Sequence, residues 1–129
     1  AKFDVQGNHL FSKRFGDSDT QYGDGITTDA SGNVFITGFF IGSVDFGGGT
    51  LTSAGVDYGD IFIAKFTAQG NHVYSKRFGD SNYQSAYSIT TDASGNVFIT
   101  GAFSGSIDFG GGTLTSAGDY DIFIAKFAP

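Results

Sequence analysis

The 129-residue chain has no cysteine, no methionine and no tryptophan, and its single proline is the last residue. Without thiols it can form neither a disulfide nor a thiolate metal site, although this leaves the compartment open, since many secreted β proteins lack bridges. No apolar run approaches the roughly 20 residues that a membrane-spanning helix needs. These residues hold no targeting signal of the charged, hydrophobic and small-residue kind, and membrane insertion is not expected. Basic residues are scarce: seven Lys and Arg face 13 acidic residues, for a net charge of −6. Nucleic acid is therefore not an expected partner, because such binding begins with clustered cations that displace counterions.

What the chain does have is 15 Phe, six Tyr and 21 Gly, bulky strand residues beside permissive turn residues. Shifted by 63 positions, the sequence superposes on itself from Ala1 on Ala64 to Gly55 on Gly118 without a gap, and only 13 of those 55 pairs differ. Such self-similarity marks a repeat architecture. Residues 1–63 form a first copy and 64–124 a second, and 125–129 begin a third. A chain cut inside a repeat reads as an excerpt from a longer array, or as a unit engineered from one.

Each copy offers four runs of strand character. They are 9–15, 25–29, 33–40 and 60–66 in the first copy, and 72–78, 88–92, 96–103 and 121–127 in the second. Asp29-Ala30-Ser31-Gly32-Asn33 and its counterpart Asp92 to Asn96 place Asx and Gly residues where a hairpin turn needs them. Val34, Ile36 and Phe40 fall on one face of their strand and Phe35 and Phe39 on the other, and Ile61 and Ile63 oppose Phe62 and Phe66. A sheet apolar on both faces is sandwiched between two others, as a propeller blade is. The expected class is all-β, with two four-stranded antiparallel blades per chain and a ring completed by oligomerisation or by a longer array. The segments 41–59 and 104–120 share Asp-Phe-Gly-Gly-Gly-Thr-Leu-Thr-Ser-Ala-Gly and read as an extra hairpin or ordered loop, bent at the three glycines, with Phe46, Leu51 and Ile107 packing back.

The series Ser12-Lys13-Arg14-Phe15-Gly16-Asp17-Ser18, then Gly25 to Gly38, then Asp60-Ile61-Phe62-Ile63-Ala64-Lys65-Phe66 resembles the seven-bladed β-propeller repeat family, SBBP. The central Asp-Ala-Ser-Gly-Asn-Val-Phe is also similar to the NHL-type propeller repeat. The SBBP resemblance implies tandem repeats of large extracellular or cell-surface proteins, mostly bacterial, and a scaffold without a catalytic set. Its strand order makes the second, third and fourth runs strands A, B and C, and the next copy's first run the outer strand D. One blade is then whole while the other lacks strand D. A homo-oligomer follows as an expectation, with the strand of Ile122, Phe123, Ile124 and Phe127 pairing with that of His9, Phe11 and Phe15 in the next chain. Three or four chains would give a ring of about six or eight blades, and an exchange that fails to close would give a fibre.

Candidate ligand-binding residues are those at which the copies differ: Asp19, Tyr22 and Asp24, with Asn82, Tyr83 and Tyr87, read as a rim loop entering strand A whose Tyr, Asp and Asn suit a carbohydrate or peptide. Asp17, Asp19 and Asp24 also present the oxygens a calcium loop uses, but the second copy replaces the last two by Asn82 and Tyr87, so no cofactor is expected. His9 and His72 recur singly and read as exposed strand residues, Asp29 and Asp92 as turn formers, and Lys13-Arg14 and Lys76-Arg77 as a solvated edge. No Ser/His/Asp order or nucleophile elbow is present, and no catalytic residue is expected. The leading functional reading is a self-assembling scaffold, ahead of a lectin-like binder, a fibre subunit and a propeller hydrolase.

Overall fold

In the computed structural model, which describes residues 1–129, the chain contains strands, turns and bends and no helix. The strands are β1 (Lys2–Phe3), β2 (His9–Phe11), β3 (Gln21–Thr28), β4 (Val34–Phe40), β5 (Ser43–Asp45), β6 (Thr50–Thr52), β7 (Asp60–Phe66), β8 (His72–Phe78), β9 (Gln84–Thr91), β10 (Val97–Phe103), β11 (Ser106–Asp108), β12 (Thr113–Thr115) and β13 (Asp121–Phe127). All pairings are antiparallel. One four-stranded sheet runs β3-β4-β7-β8, a three-stranded sheet runs β9-β10-β13, and β1-β2, β5-β6 and β11-β12 are separate hairpins. The all-β blade architecture read from the residues is the one observed.

The eight expected runs all contain strands, but they assemble as one blade of four strands, one of three and a lone hairpin rather than two blades of four. The reason is the offset between copy and blade: β8 opens the second copy yet completes the first blade. The effect of a missing partner is visible at β2. Residues 9–15 and 72–78 share their last four residues, Ser-Lys-Arg-Phe, but only the second run is a strand throughout, because β7 pairs along its length, whereas β1 reaches only His9 and Phe11. Phe15 therefore lies beyond the strand.

Strand A starts four residues earlier than its composition indicates, at Gln21 and Gln84 rather than Gly25 and Ser88. Gln-Tyr-Gly-Asp-Gly looks like turn chemistry, but Gln21 and Tyr22 pair with Phe40 and Phe39, and a β-bulge absorbs the misfit. The bulged residue is Asp24 in the first copy and Tyr87 in the second. Opposite each bulge stands a glycine, where the kinked strand comes close. A Cβ on Gly38 would collide with the carbonyl oxygen of Tyr22, and one on Gly101 with that of Ser85.

The turns close as the Asx pattern implies. Asp29 accepts the amides of Ser31 (2.9 Å) and Asn33 (3.0 Å) and the Asn33 side-chain nitrogen (2.9 Å), and Asp92 does the same with Ser94 and Asn96. The glycine excursions are hairpins, in which Asp45 accepts from the amides of Gly47 and Gly49. These hairpins pack back as expected: Phe46 and Ile107 are buried and Leu51 lies against the core.

The larger core is the boundary between blades. Phe35, Ile61 and Ile63 of the first blade meet Ile89, Val97 and Ile99 of the second. The smaller core lies on the first blade's other face, where Phe40, Phe62 and Phe66 are covered by Val44 and Phe46 of the β5-β6 hairpin and by Phe15. The bulge geometry yields a stability prediction. Gly38→Ala and Gly101→Ala should each destabilise the chain by about 1–3 kcal/mol or more through forced strand separation, whereas Gly111→Ala, whose Cβ meets nothing within 4 Å, should be near neutral, as measured by denaturant unfolding.

Candidate functional site

The candidate ligand residues, at which the copies differ, gather on one rim, formed by the starts of strands A and C and the ends of B and D. Asp19, Asn82 and Tyr83 lie in loops there, as expected, but Tyr22 and Asp24 belong to β3 and Tyr87 to β9. This corrects their placement in a rim loop, and the cause is the early start of strand A. Asp24 and Tyr87 nevertheless point away from regular pairing because they are the bulged residues. An aromatic series crosses from one blade to the other. Tyr22 stacks on Phe39 (5.2 Å between ring centres), Phe39 lies 6.3 Å from Tyr83, and Tyr83 meets Tyr120 edge to face at 5.3 Å. The hydroxyls of Tyr83 and Tyr87 are 3.3 Å apart. That hydrogen bond, with burial second, holds the Tyr87 hydroxyl protonated with a pKa of about 12.

Asp17 has a structural task. Its carboxylate accepts the amides of Asp19 (2.8 Å) and Ser43 (2.8 Å) and the Gln21 side-chain nitrogen (2.6 Å), tying the loop before strand A to the turn after strand B. Asp80 repeats this with Asn82, Ser106 and Gln84. No group of three Asp or His side chains converges in a way that could hold a metal ion. His72 hydrogen-bonds Ser75 (3.2 Å) and stands edge-on to Phe66, while His9, exposed, repeats this with Ser12 and Phe3.

One pair went unread in the sequence. Arg77, taken as part of a solvated edge, reaches from β8 to Asp60 at the start of β7 and makes an ion pair with its Oδ2, which also accepts the amide of Ala54 at 2.8 Å. Asp60 is fully buried and its Oδ1 has no partner. Burial pushes its carboxyl above the ordinary range, against the pull of the Ala54 amide and Arg77. The only available signal was the recurrence of an Asp opening strand C and an Arg near the end of strand D. The second set of these groups is split: Asp121 opens β13 and accepts only the Ala117 amide (2.6 Å), and Arg14 is exposed and makes no ion pair.

The same split applies to the apolar faces. Ile61 and Ile63 are 0% and 2% exposed in the buried boundary, but their equivalents Ile122 and Ile124 are 88% and 76% exposed. Ile89 is 7% exposed and its equivalent Ile26 is 68% exposed. Ile26, Val34 and Ile36 line an apolar groove of about 450 Å³ between the first blade and the β1-β2 hairpin, together with Phe3, Phe11 and Phe15. Phe15 packs on Phe46 and Phe66 just as Phe78 packs on Phe109 and Phe127. The β2 segment thus sits as the outer strand of a blade whose other strands are absent from the groove.

Residues 73–102 match the SBBP family, a beta-propeller repeat. The match runs from β8 through β9 into β10, and residues 10–39 are the corresponding stretch of the first copy. The chain is also 24% identical, over 98% of its length, to an uncharacterized WD repeat-containing protein of Acanthamoeba polyphaga mimivirus, and spans about 10% of that protein. Both likenesses are to repeat proteins.

Two predictions follow from the carboxylates. Arg77→Ala leaves Asp60 buried without its counter-charge and should cost about 3–5 kcal/mol, while Arg14→Ala should leave the isolated chain unchanged; paired thermal melts distinguish them. Six carboxyls lie below the usual 3.8, among them Asp4 through the Asn8 side chain, Asp29 through that of Asn33, Asp45 through the Gly47 amide and Asp92 through the Asn96 side chain. Asp17 is lowered by the Asp19 amide, and at Asp80 burial opposes the shift but the amides of Asn82 and Ser106 outweigh it. A folded-state pKa below the unfolded one adds stability above about pH 4 that is lost as pH falls through the folded value. Asp60 acts in the opposite sense, since its raised pKa favours the fold at low pH. The six outnumber it, so the melting temperature should drop below about pH 4, and Asp29→Asn with Asp92→Asn should flatten that decline.

Proposed function

We propose that the chain is a non-enzymatic structural and interaction module whose propeller blades assemble by strand exchange between copies, β13 of one copy pairing with residues 9–15 of the next. The observation that carries this reading is that the two open faces are the two halves of the contact buried inside the chain. Phe98, Ile122 and Ile124 at one end repeat Phe35, Ile61 and Ile63, and Ile26, Val34 and Ile36 at the other repeat Ile89, Val97 and Ile99. Seating one on the other removes from water isoleucines that each gain about 1.5–3 kcal/mol on full burial.

The β7-β8 register supplies the pairing. Ile61 opposite Phe78, Phe62 opposite Arg77 and Ile63 opposite Lys76 become Ile122 opposite Phe15, Phe123 opposite Arg14 and Ile124 opposite Lys13. In this arrangement Asp121 and Arg14 form the ion pair that Asp60 and Arg77 make within the chain. Ala125-Lys126-Phe127 takes the place of the identical Ala1-Lys2-Phe3 along His9 to Phe11. The kinship with WD and SBBP repeats supports a scaffold role over catalysis, and three or four copies supply enough blades for a ring of the usual size.

Light scattering on the purified chain tests the reading. A discrete multimer is expected, with Asp121→Arg or Arg14→Asp alone reducing it to smaller species and the double reversal restoring it. A wild-type chain that stays a monodisperse monomer at micromolar concentration would end the proposal.

A further inference from the structure

Five of the six tyrosines, all but Tyr74 on β8, collect on the rim described above or beside it. Four of them, Tyr22, Tyr58, Tyr87 and Tyr120, keep half or more of their surface in water. A core does not require this, and exposed aromatic side chains crowded together mark a surface that contacts something. Three of the five, Tyr58, Tyr83 and Tyr120, border a hollow of about 520 Å³ between the blades, walled also by Asn82, Ser104 and Asp119. The size is that of a small-ligand site.

Tyr58 and Tyr120 are repeat counterparts, but the aromatic residues beside them are not. Tyr22 and Phe39 of the first copy correspond to Ser85 and Ala102 in the second, and Tyr83 and Tyr87 correspond to Thr20 and Asp24 in the first. The two copies, nearly identical elsewhere, diverge so that each contributes its aromatic residues to the one boundary they share inside the chain. In the proposed assembly Gly118 to Tyr120 also border the junction with the next copy, as Gly55 and Gly59 border Ser81 and Gln84 within the chain.

We propose that this hollow binds a neutral oligosaccharide. Its walls contain no Lys or Arg and include Asp119, so an anionic ligand meets only repulsion. All of the wall residues lie in turns and loops, so no free strand edge opens onto it for a peptide to extend. Its apolar walls are tyrosines alone, which leaves no dry pocket for the anchor side chain on which peptide recognition depends. A sugar ring fits this mixture. Its C–H face lies against the electron-rich face of a tyrosine ring, and its hydroxyls donate to oxygens that the chain leaves open. The Asp119 carboxylate makes no hydrogen bond within the chain, and the Asn82 side-chain nitrogen is spent on Asp80, which directs the Asn82 Oδ1 outward as an acceptor. The Tyr58 and Tyr120 hydroxyls supply both donors and acceptors.

Because the chain has no tryptophan and three of its six tyrosines border the hollow, a change in tyrosine fluorescence reports binding and calorimetry gives the affinity. The probes are cellohexaose, maltohexaose, chitohexaose and mannohexaose, with heparin and a neutral proline-rich peptide as comparisons. At least one neutral hexaose is expected to bind, with Tyr120→Ala and Tyr83→Ala each weakening it by about tenfold or more and Asp119→Asn weakening it less. Tyr120 is largely exposed, so its replacement keeps the fold and the test stands even if Tyr83→Ala unfolds. Failure of all four hexaoses at millimolar concentration, equal binding by heparin, binding of the peptide alone, or undiminished sugar binding in Tyr120→Ala would each overturn the proposal.

Discussion

Both faces of each blade in this chain are apolar, and that constraint decides most of what surrounds them. The first blade meets it with the second blade on one side, while on the other its glycine hairpin and Phe15 cover Phe40, Phe62 and Phe66 but leave Ile26 exposed. The second blade meets it on one side only, which leaves Ile122 and Ile124 in water. Two isoleucines held that far from a core are unusual for a self-sufficient domain, because contiguous exposed apolar surface normally marks a contact. Edges follow the same logic. The outer edge of β13 carries unpaired backbone groups, whereas the corresponding edge of β7 is closed by β8.

Polar groups fix how the layers meet. Carboxylates do this work in two distinct ways. Asp29, Asp92 and Asp4 close turns locally by collecting backbone amides, which holds strand register without contacting the core. Asp17 and Asp80 act across the rim and lock the loop before strand A to the turn after strand B. Asp60 is different in kind, since it is buried and depends on an arginine from the neighbouring strand. The Asp60–Arg77 pair is made only in the register that sets Phe62 opposite Arg77, so a slipped outer strand would leave the carboxylate buried without its counter-charge.

Much of this was legible in the residues, and the failures have physical causes. Self-similarity exposed the repeat, two-faced apolar patterning exposed the blade, and the SBBP resemblance supplied the strand order that leaves one blade without its outer strand. The bounds of β7, β8 and β13 were read without error because β-branched and aromatic residues fill them. Strand A was started too late because Gly23, Asp24 and Gly25 have the chemistry of a turn, and only pairing with Phe39 and Phe40 makes them strand. Residues 9–15 are strand only from His9 to Phe11 because β1, which carries the Ala-Lys-Phe end of the strand C pattern, pairs with that stretch alone. Arg77 was assigned to solvent because its partner lies 17 positions away and is paired only once β7 and β8 are side by side. Divergence between copies is visible in sequence and singles out Asn82 and Tyr83, but their grouping with Tyr58 and Tyr120 needs the fold.

The contact between blades is heterologous: one face of a blade receives the opposite face of the next, and neither matches itself. Contacts of this kind produce rings or filaments, never a simple twofold pair, and the rotation at each step decides which. In this chain that rotation is set where β9 lies against β3, β4 and β7. The residues that build the contact, Phe35, Ile61, Ile63, Ile89, Val97 and Ile99, recur unchanged at the open faces as Phe98, Ile122, Ile124, Ile26, Val34 and Ile36. The two-residue difference between the copies falls in the loop before strand C, at the rim, where it leaves the packed layer alone. In the proposed assembly a junction between copies would inherit the rotation of the junction within one. Repetition of a single angle would then favour a closed ring over an irregular aggregate, with the blade number fixed by the internal contact.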